Sequence, residues 1–288
     1  MKPRLKVSFS GGKTSALMAK LINENLKDKY EIINVFANTG EEDERTLIFA
    51  NACDIAFGLN LVWVEAVVNP EAGKGTRHRV VNFESASRHG EPFEEVIKKY
   101  GIPNVTFQPC NRELKLAPMR SYCNSIGWKT GTYKTAIGIR IDEARRVSES
   151  AGDNEIIYPL IDIWPTDKVD VNDFWDDQPF SLGLLEHQGN CKWCWKKSFR
   201  KHFRLIDEAP EIYDFPRRME ELYSQAGANR AGEHRVFFRG NTSTKGLFAK
   251  ALIAAEEGAF AANYDSRQFE LDFDGGCSES CEIYEVES

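Results

Sequence analysis

The chain has 288 residues, 42% of them hydrophobic, which is enough to build a sizeable core in one large α/β domain or in a domain with an appendage. Its 37 basic and 44 acidic side chains leave a formal charge of −7, which argues against a surface coated in basic charge for unspecific nucleic-acid binding but permits a local basic patch. No apolar run reaches the length of a membrane span, residues 1–4 carry no signal-peptide core, and seven unevenly spaced cysteines suit metal binding, redox chemistry or burial better than a disulfide framework, so the expectation is a cytoplasmic protein with no membrane contact.

In chain order, apolar residues 5–9 predict a strand, and the spacing of Leu17, Met18, Leu21 and Ile22 predicts a helix after it. Between them run Ser10, Gly11, Gly12, Lys13, Thr14 and Ser15. Two adjacent glycines let the backbone turn sharply and approach a ligand, and three hydroxyls join the free amides of a helix N-terminus in an anion cradle suited to phosphates. The spacing is neither the Walker loop nor the dinucleotide fingerprint. It resembles the SGGxxS signature of the PP-loop superfamily, which includes ATP pyrophosphatases, tRNA thiolases and phosphoadenosine-phosphosulfate reductases. Lys13-Thr14 stands where many PP-loop ATPases have a residue followed by Asp, so assistance by Mg²⁺ is an expectation of the resemblance that the loop itself does not carry.

Residues 30–36 predict a second strand, ending in Asn38, Thr39, Gly40, Glu41 and Glu42 on the same crevice. The stretch 36–49 resembles the second-strand region of the phosphosulfate reductases, and a helix is expected from Glu44; an acidic first turn stabilised by the helix dipole is the plain structural account. Residues 59–68 predict a third strand and complete a βαβαβ alternation. The polar stretch 69–90 reads as a loop, either solvated or a lid over an anionic ligand, and residues 93–100 as a helix. Residues 109–118 resemble a region of cluster-containing reductases in which a Cys-Cys pair precedes a basic residue and a proline. Pro109 replaces the first cysteine, so only Cys110 corresponds, and Cys123 is expected to be a buried small residue.

Residues 135–139 predict a strand leading into Gly138, Arg140 and Glu143, which resemble the reductases' G-x-R-x-x-E segment. Gly138 permits close approach, and Arg140 offers a planar fork to phosphate or sulfate oxygens. An exposed helix pairing Asp142 with Arg145 or Arg146 would show similar charges. Residues 158–175 resemble the reductases' P-L-x-x-W…D-V-x-x-Y/F element, which implies a strand and then a helix, with core aromatic residues.

Cys191 and Cys194 are separated by two residues, a spacing that turns both sulfurs toward one metal and also serves dithiol redox pairs. Their order after Cys110 resembles that in cluster-containing adenosine-phosphosulfate reductases. The resemblance implies Cys110, Cys191 and Cys194 as ligands of a [4Fe-4S] cluster, with zinc as the alternative and Cys277, Cys281 or no residue as the fourth ligand. Lys192, Lys196, Lys197, Arg200, Lys201 and Arg204 form a basic patch over residues 192–204, suited to a nucleic-acid backbone or to balancing a cluster's charge. Trp193 and Trp195 suit base stacking or the core. Residues 205–262 read as helical. In the acidic tail, Glu279-Ser280-Cys281-Glu282 loosely resembles the reductases' Glu-Cys-Gly motif but lacks its Gly and following His, and Cys281 is a catalytic candidate only for a reductase.

The resemblance implies an α/β fold, a doubly wound, mostly parallel sheet with a C-terminal helical region. The divisions are 1–180 for nucleotide binding, 181–262 for the Cys-x-x-Cys and helical part, and 263–288 for the tail. It further implies ATP or an adenosine-phosphosulfate-type nucleotide bound by residues 10–15 with Thr39, Gly40, Gly138 and Arg140. The activity expected is that of an ATP-using, iron–sulfur-dependent sulfurtransferase or nucleotide- or nucleic-acid-modifying enzyme, served by a sulfur-donor protein. A thiol-dependent phosphosulfate reductase and a non-catalytic nucleotide- or nucleic-acid-binding accessory protein are the alternatives.

Overall fold

The computed structural model describes residues 2–71, 73–189, 191–227 and 234–256. The tail, with Cys277 and Cys281, lies outside the described residues.

Six strands form one sheet: β1 Arg4–Phe9, β2 Glu31–Asn38, β3 Val62–Val67, β4 Arg77–Val81, β5 Tyr133–Ala136 and β6 Ile156–Ile157, in the order β4-β3-β2-β1-β5-β6. All neighbours are parallel except the edge pair β3 and β4. Side chains alternate across the pleat. Leu5, Val7 and Phe9 share a face with Phe36 and Trp63, buried with residues of α1 Lys13–Asn25 and α2 Glu44–Phe57. On the opposite face Val35, Ala37 and Val64 pack with Leu116 and Met119. Helices on both faces explain why β1 and the end of β2 are buried without interruption, Lys6, Ser8 and Asn38 included. Asp43 caps α2 by accepting a bond from the Arg45 amide, and Gly58 ends it in the left-handed region at φ 60°.

The middle of the chain departs from expectation in two places. The stretch 69–90 contains β4, an antiparallel edge strand rather than a continuous loop. Its sequence, Arg77-His78-Arg79-Val80-Val81, hides the strand because an edge strand buries little and shows no clean alternation. The Pro-Leu-Trp stretch is a short helix, α6 Pro159–Asp162, and not a strand. Pro159 sits in its first turn, where its missing N–H costs nothing, and the preceding β6 is only two residues long.

Helix α3 Glu91–Tyr100 leads to α4 Pro109–Asn111, a π-helical turn Arg112–Leu116 and α5 Ala117–Ser125. Pro118 cannot donate to the carbonyl four residues back, and the wider turn lies where that bond is missing. Helix α7 Lys168–Asp176 begins with a capping box between Asp167 and Asp170. Finally α8 Phe199–Glu208, α9 Asp214–Tyr223 and α10 Thr244–Glu256 share a core with α3, in which Trp193, Tyr213, Phe215 and Phe237 are buried. No described helix is long and apolar enough to cross a membrane.

Candidate functional site

The chain builds outward from β1 to β3 and then returns to the other side of β1 with β5. In open parallel sheets such a reversal leaves a crevice beyond the strand ends, here between β1 and β5. The loop of Ser10 to Ser15 occupies it. Gly11 has φ +83°, and a Cβ there would lie 2.5 Å from Thr46 Cγ2, so the position requires glycine. Gly12 caps α1 in extended conformation with no side-chain capping bond, which leaves first-turn amides without an intrahelical acceptor. The Ser10 amide and hydroxyl both donate to Ser15 Oγ, at 3.1 and 2.8 Å, and Ser15 Oγ donates to the Gly12 carbonyl at 3.0 Å. From α7, Trp175 Nε1 donates to the Lys13 carbonyl at 3.0 Å.

Gly138, just past β5, lies against the same turn; a Cβ on it would sit 3.1 Å from Ser15 Cα. Arg140 is only 4% exposed. Its Nε and Nη2 grip Asp142 at 3.0 and 3.1 Å, and its Nη1 donates to Thr14 Oγ1 at 3.0 Å. A buried guanidinium needs a counter-ion, so the fork expected to face a ligand is engaged by Asp142, and Arg140 reaches the loop of residues 10–15 through its bond to Thr14.

Thr39 and Gly40 extend the crevice past β2. The Glu42 carboxylate accepts from the Thr39 amide at 2.9 Å and from its hydroxyl at 2.8 Å, and Gly40 turns at φ +82°. This loop is also the platform for the cysteine pair. Cys191 bridges Glu42, the Lys192 amide donates to the Glu41 carbonyl at 2.9 Å, and Trp193 Nε1 donates to Glu41 Oε2 at 2.5 Å. Thr39 Oγ1 lies 3.6 Å from Cys191 Sγ. Burial raises the Glu41 carboxyl to about 7, only partly offset by Lys192 and by the bond from Trp193.

Cys110, Cys191 and Cys194 line one cavity, with Thr39, Asn111 and Lys115 among its other walls. Asn111 Oδ1 is buried there without a hydrogen-bond donor. Three thiols with an unsatisfied acceptor and a lysine suit a soft, thiolate-bound group. Its volume of about 20 Å³ is that of one ion or water rather than of a cluster. Among the described residues no three His, Cys, Asp or Glu side chains stand as a formed metal-ion group, so a cluster requires the lining to move outward. Cys123 is fully buried in the core, and burial pushes its thiol up.

The basic stretch 192–204 is largely folded into the protein. Lys197 is buried and donates to the His187 and Gly189 carbonyls, Arg204 pairs with Glu208 at 2.7 Å, and Lys201 lies 3.6 Å from Glu186. Trp193 is enclosed by Phe93 and Phe215, with centroids at 5.4 and 5.6 Å, and belongs to the core rather than to a base-stacking surface. Sequence reasoning overlooked Glu65. It is fully buried and accepts from Asn38 Nδ2, the Ser87 amide and Arg79 Nη2, each at 2.6 Å, pinning β4 and the segment after it to the end of β2. The signal was present, since a carboxylate inside an apolar strand demands partners.

No family model matches the chain. Over 283 residues it is 32% identical to the uncharacterized nin region protein ORF290 of Escherichia phage lambda, an alignment covering 96% of this chain and 94% of that one. The chain belongs to the ORF290 family. A second relative, an uncharacterized protein of Methanocaldococcus jannaschii, is 30% identical over 118 residues, 41% of this chain and 22% of its own. Among solved structures, a phosphoadenylyl-sulfate reductase from Candida auris in complex with phosphate superposes with a TM-score of 0.37 at 18% identity, over 61% of this chain and 72% of its own. The U34-tRNA thiolase NcsA from Methanococcus maripaludis, with its [4Fe-4S] cluster, gives a TM-score of 0.36 at 16% identity, over 80% and 75%. Likenesses at this level carry no weight for the activity of the ORF290 family.

Proposed function

We propose that this member of the ORF290 family is a PP-loop enzyme that binds ATP at the sheet's switch point and works with a cysteine-bound iron–sulfur cluster to transfer sulfur to an activated acceptor. The observation that carries the reading is the convergence of Cys110, Cys191 and Cys194 on one cavity walled by Thr39, a residue of the crevice itself. The sequence segments that resemble PP-loop proteins and phosphosulfate reductases support it, as does the meeting of two of them, the phosphate loop and the Gly138–Arg140 turn, through Gly138 against Ser15 and Arg140 on Thr14.

In this reading the first-turn amides of α1 and the hydroxyl of Thr14 hold the triphosphate, with Thr14 oriented by Arg140. An acceptor oxygen attacks the α-phosphorus, the bond to the bridging oxygen breaks, and pyrophosphate leaves with the electron pair. Amides aimed in advance stabilise the charge developing on the phosphate oxygens. Cys110, Cys191 and Cys194 would hold the cluster; when bound it would supply sulfide-level sulfur to the carbon that bears the activated oxygen, and that oxygen would leave with its electron pair as part of AMP. Lys115, on the cavity wall, offsets the charge of three thiolates. A zinc ion on the same thiols is the second reading, favoured by the small size of the cavity.

The test is ATP binding and pyrophosphate release by the wild type and by Gly11→Ala. The variant forces a Cβ into Thr46 at a positive φ, a strain on the order of 1–3 kcal/mol. At least tenfold weaker ATP binding by a variant that keeps wild-type circular dichroism is expected; unchanged binding would remove the loop from the site.

A further inference from the structure

We propose that residues 39–42, the loop after β2, couple the crevice to the cysteine cavity, so that a nucleotide at the loop of residues 10–15 controls how often the cavity walls part. The nucleotide's part rests on the function proposed above; the connection between the two places does not.

Four consecutive residues each hold a different part of the cavity. Thr39 is itself a wall, with its hydroxyl 3.6 Å from Cys191 Sγ. The Gly40 carbonyl accepts from the Gly90 amide at 2.9 Å; Gly90 caps the start of α3, and α3 supplies Phe93 to the lining. Glu41 holds the cysteine segment twice, through its carbonyl to the Lys192 amide and through its carboxylate to Trp193 Nε1. Glu42 makes the backbone bridge to Cys191, and its carboxylate closes back on the Thr39 amide and hydroxyl. Little slack remains around them. A Cβ on Gly40 would lie 3.1 Å from Gly90 Cα, and one on Gly90 would lie 2.7 Å from Glu41 Oε1.

The same loop ends on the crevice. It is bounded by Phe36 of β2 and Thr46 of α2, and a Cβ on Gly11 would meet both, at 3.3 and 2.5 Å. Gly11 thus sits in a notch made by residues on either side of residues 39–42. A close-packed interior transmits a displacement rather than absorbing it. The cavity, at about 20 Å³, admits one ion or water, so entry or exit of anything larger requires its walls to part. Parting moves Cys191 and Trp193 against residues 41 and 42, and that movement reaches Gly11 through Thr46. A ligand that fixes Gly11 therefore steadies the walls: the cavity exchanges its contents when the crevice is empty and is held shut when the crevice is filled. Such coupling is reciprocal.

The experiment is hydrogen–deuterium exchange of the full chain, purified anaerobically, with and without saturating ATP. The Lys192 amide, bonded to the Glu41 carbonyl, reports the connection directly. Helix α10, packed on α8 and α9, serves as the reference for a change in global stability. Bound ATP is expected to slow exchange in peptides spanning residues 191–197 by about fivefold or more and to leave α10 unchanged. Gly11→Ala is expected to speed exchange at 191–197 with no ligand present, and Thr46→Ala, which empties the notch from its other side, takes its place if Gly11→Ala does not fold. Trp193→Phe keeps a ring between Phe93 and Phe215 but removes one of the two Glu41 links, and is expected to lose about half or more of the response to ATP. Bound ATP that leaves 191–197 unchanged, slowing of the same size in α10, or a full response in Trp193→Phe would overturn the proposal. ATP binding is measured separately by equilibrium dialysis. A wild type that binds no ATP would count against the PP-loop reading, and the notch variants then decide the connection: faster exchange at 191–197 upholds it, and unchanged exchange removes it.

Discussion

Glu41 joins the cysteine loop to the sheet, and its surroundings give the protein a pH signature. It is 3% exposed, and burial holds its carboxyl at about 7 against an ordinary 4.5. The folded state therefore keeps a proton that the unfolded state releases. This contribution to stability is complete below about pH 4.5 and is lost as pH rises through 7. Gln keeps an oxygen to accept from Trp193 and has no proton to lose. Urea unfolding at pH 5 and pH 8 is expected to show Glu41→Gln losing less stability than wild type, by on the order of 3 kcal/mol; parallel losses in the two proteins would contradict it. The cysteines and glycines of the site were legible because their chemistry is written in residue type and spacing. Glu41 was not, since its acceptor role depends on Trp193, a partner 152 positions away.

At the scale of elements, α7 ties down the loop of residues 10–15. Trp175 is 1% exposed, packs edge-on to Phe49, and sends its indole N–H to the Lys13 carbonyl. Trp175→Phe keeps most of the packing and removes the bond, so a loss of about 1 kcal/mol is expected, with weaker ATP binding and unchanged metal content. Thermal unfolding together with ATP titration checks this, and an ATP affinity equal to wild type would show that the tie does not order the loop. The strands and helices of the βαβαβ half were readable from apolar runs and their spacing. The edge strand β4 was not, because Arg77, His78 and Arg79 hide a pairing supplied by β3, and α6 was expected to be a strand because the resemblance of residues 158–175 implied one, whereas Pro159 in its first turn suits a helix.

At the scale of the molecule, the sheet order brings the loop of residues 10–15 and the Gly138–Arg140 turn to one crevice, and the β2 loop carries Cys191 to its edge. The alternation of elements made the parallel sheet legible. The central claim is that cysteines far apart in the chain serve one iron–sulfur centre. Iron and acid-labile sulfide analysis of anaerobically purified wild type and Cys110→Ser tests it most directly. The expected result is brown protein with about four irons and about four sulfides per chain, and less than half of both in Cys110→Ser. Wild-type protein without iron or sulfide, or a Cys110→Ser variant that retains the full complement, would contradict it.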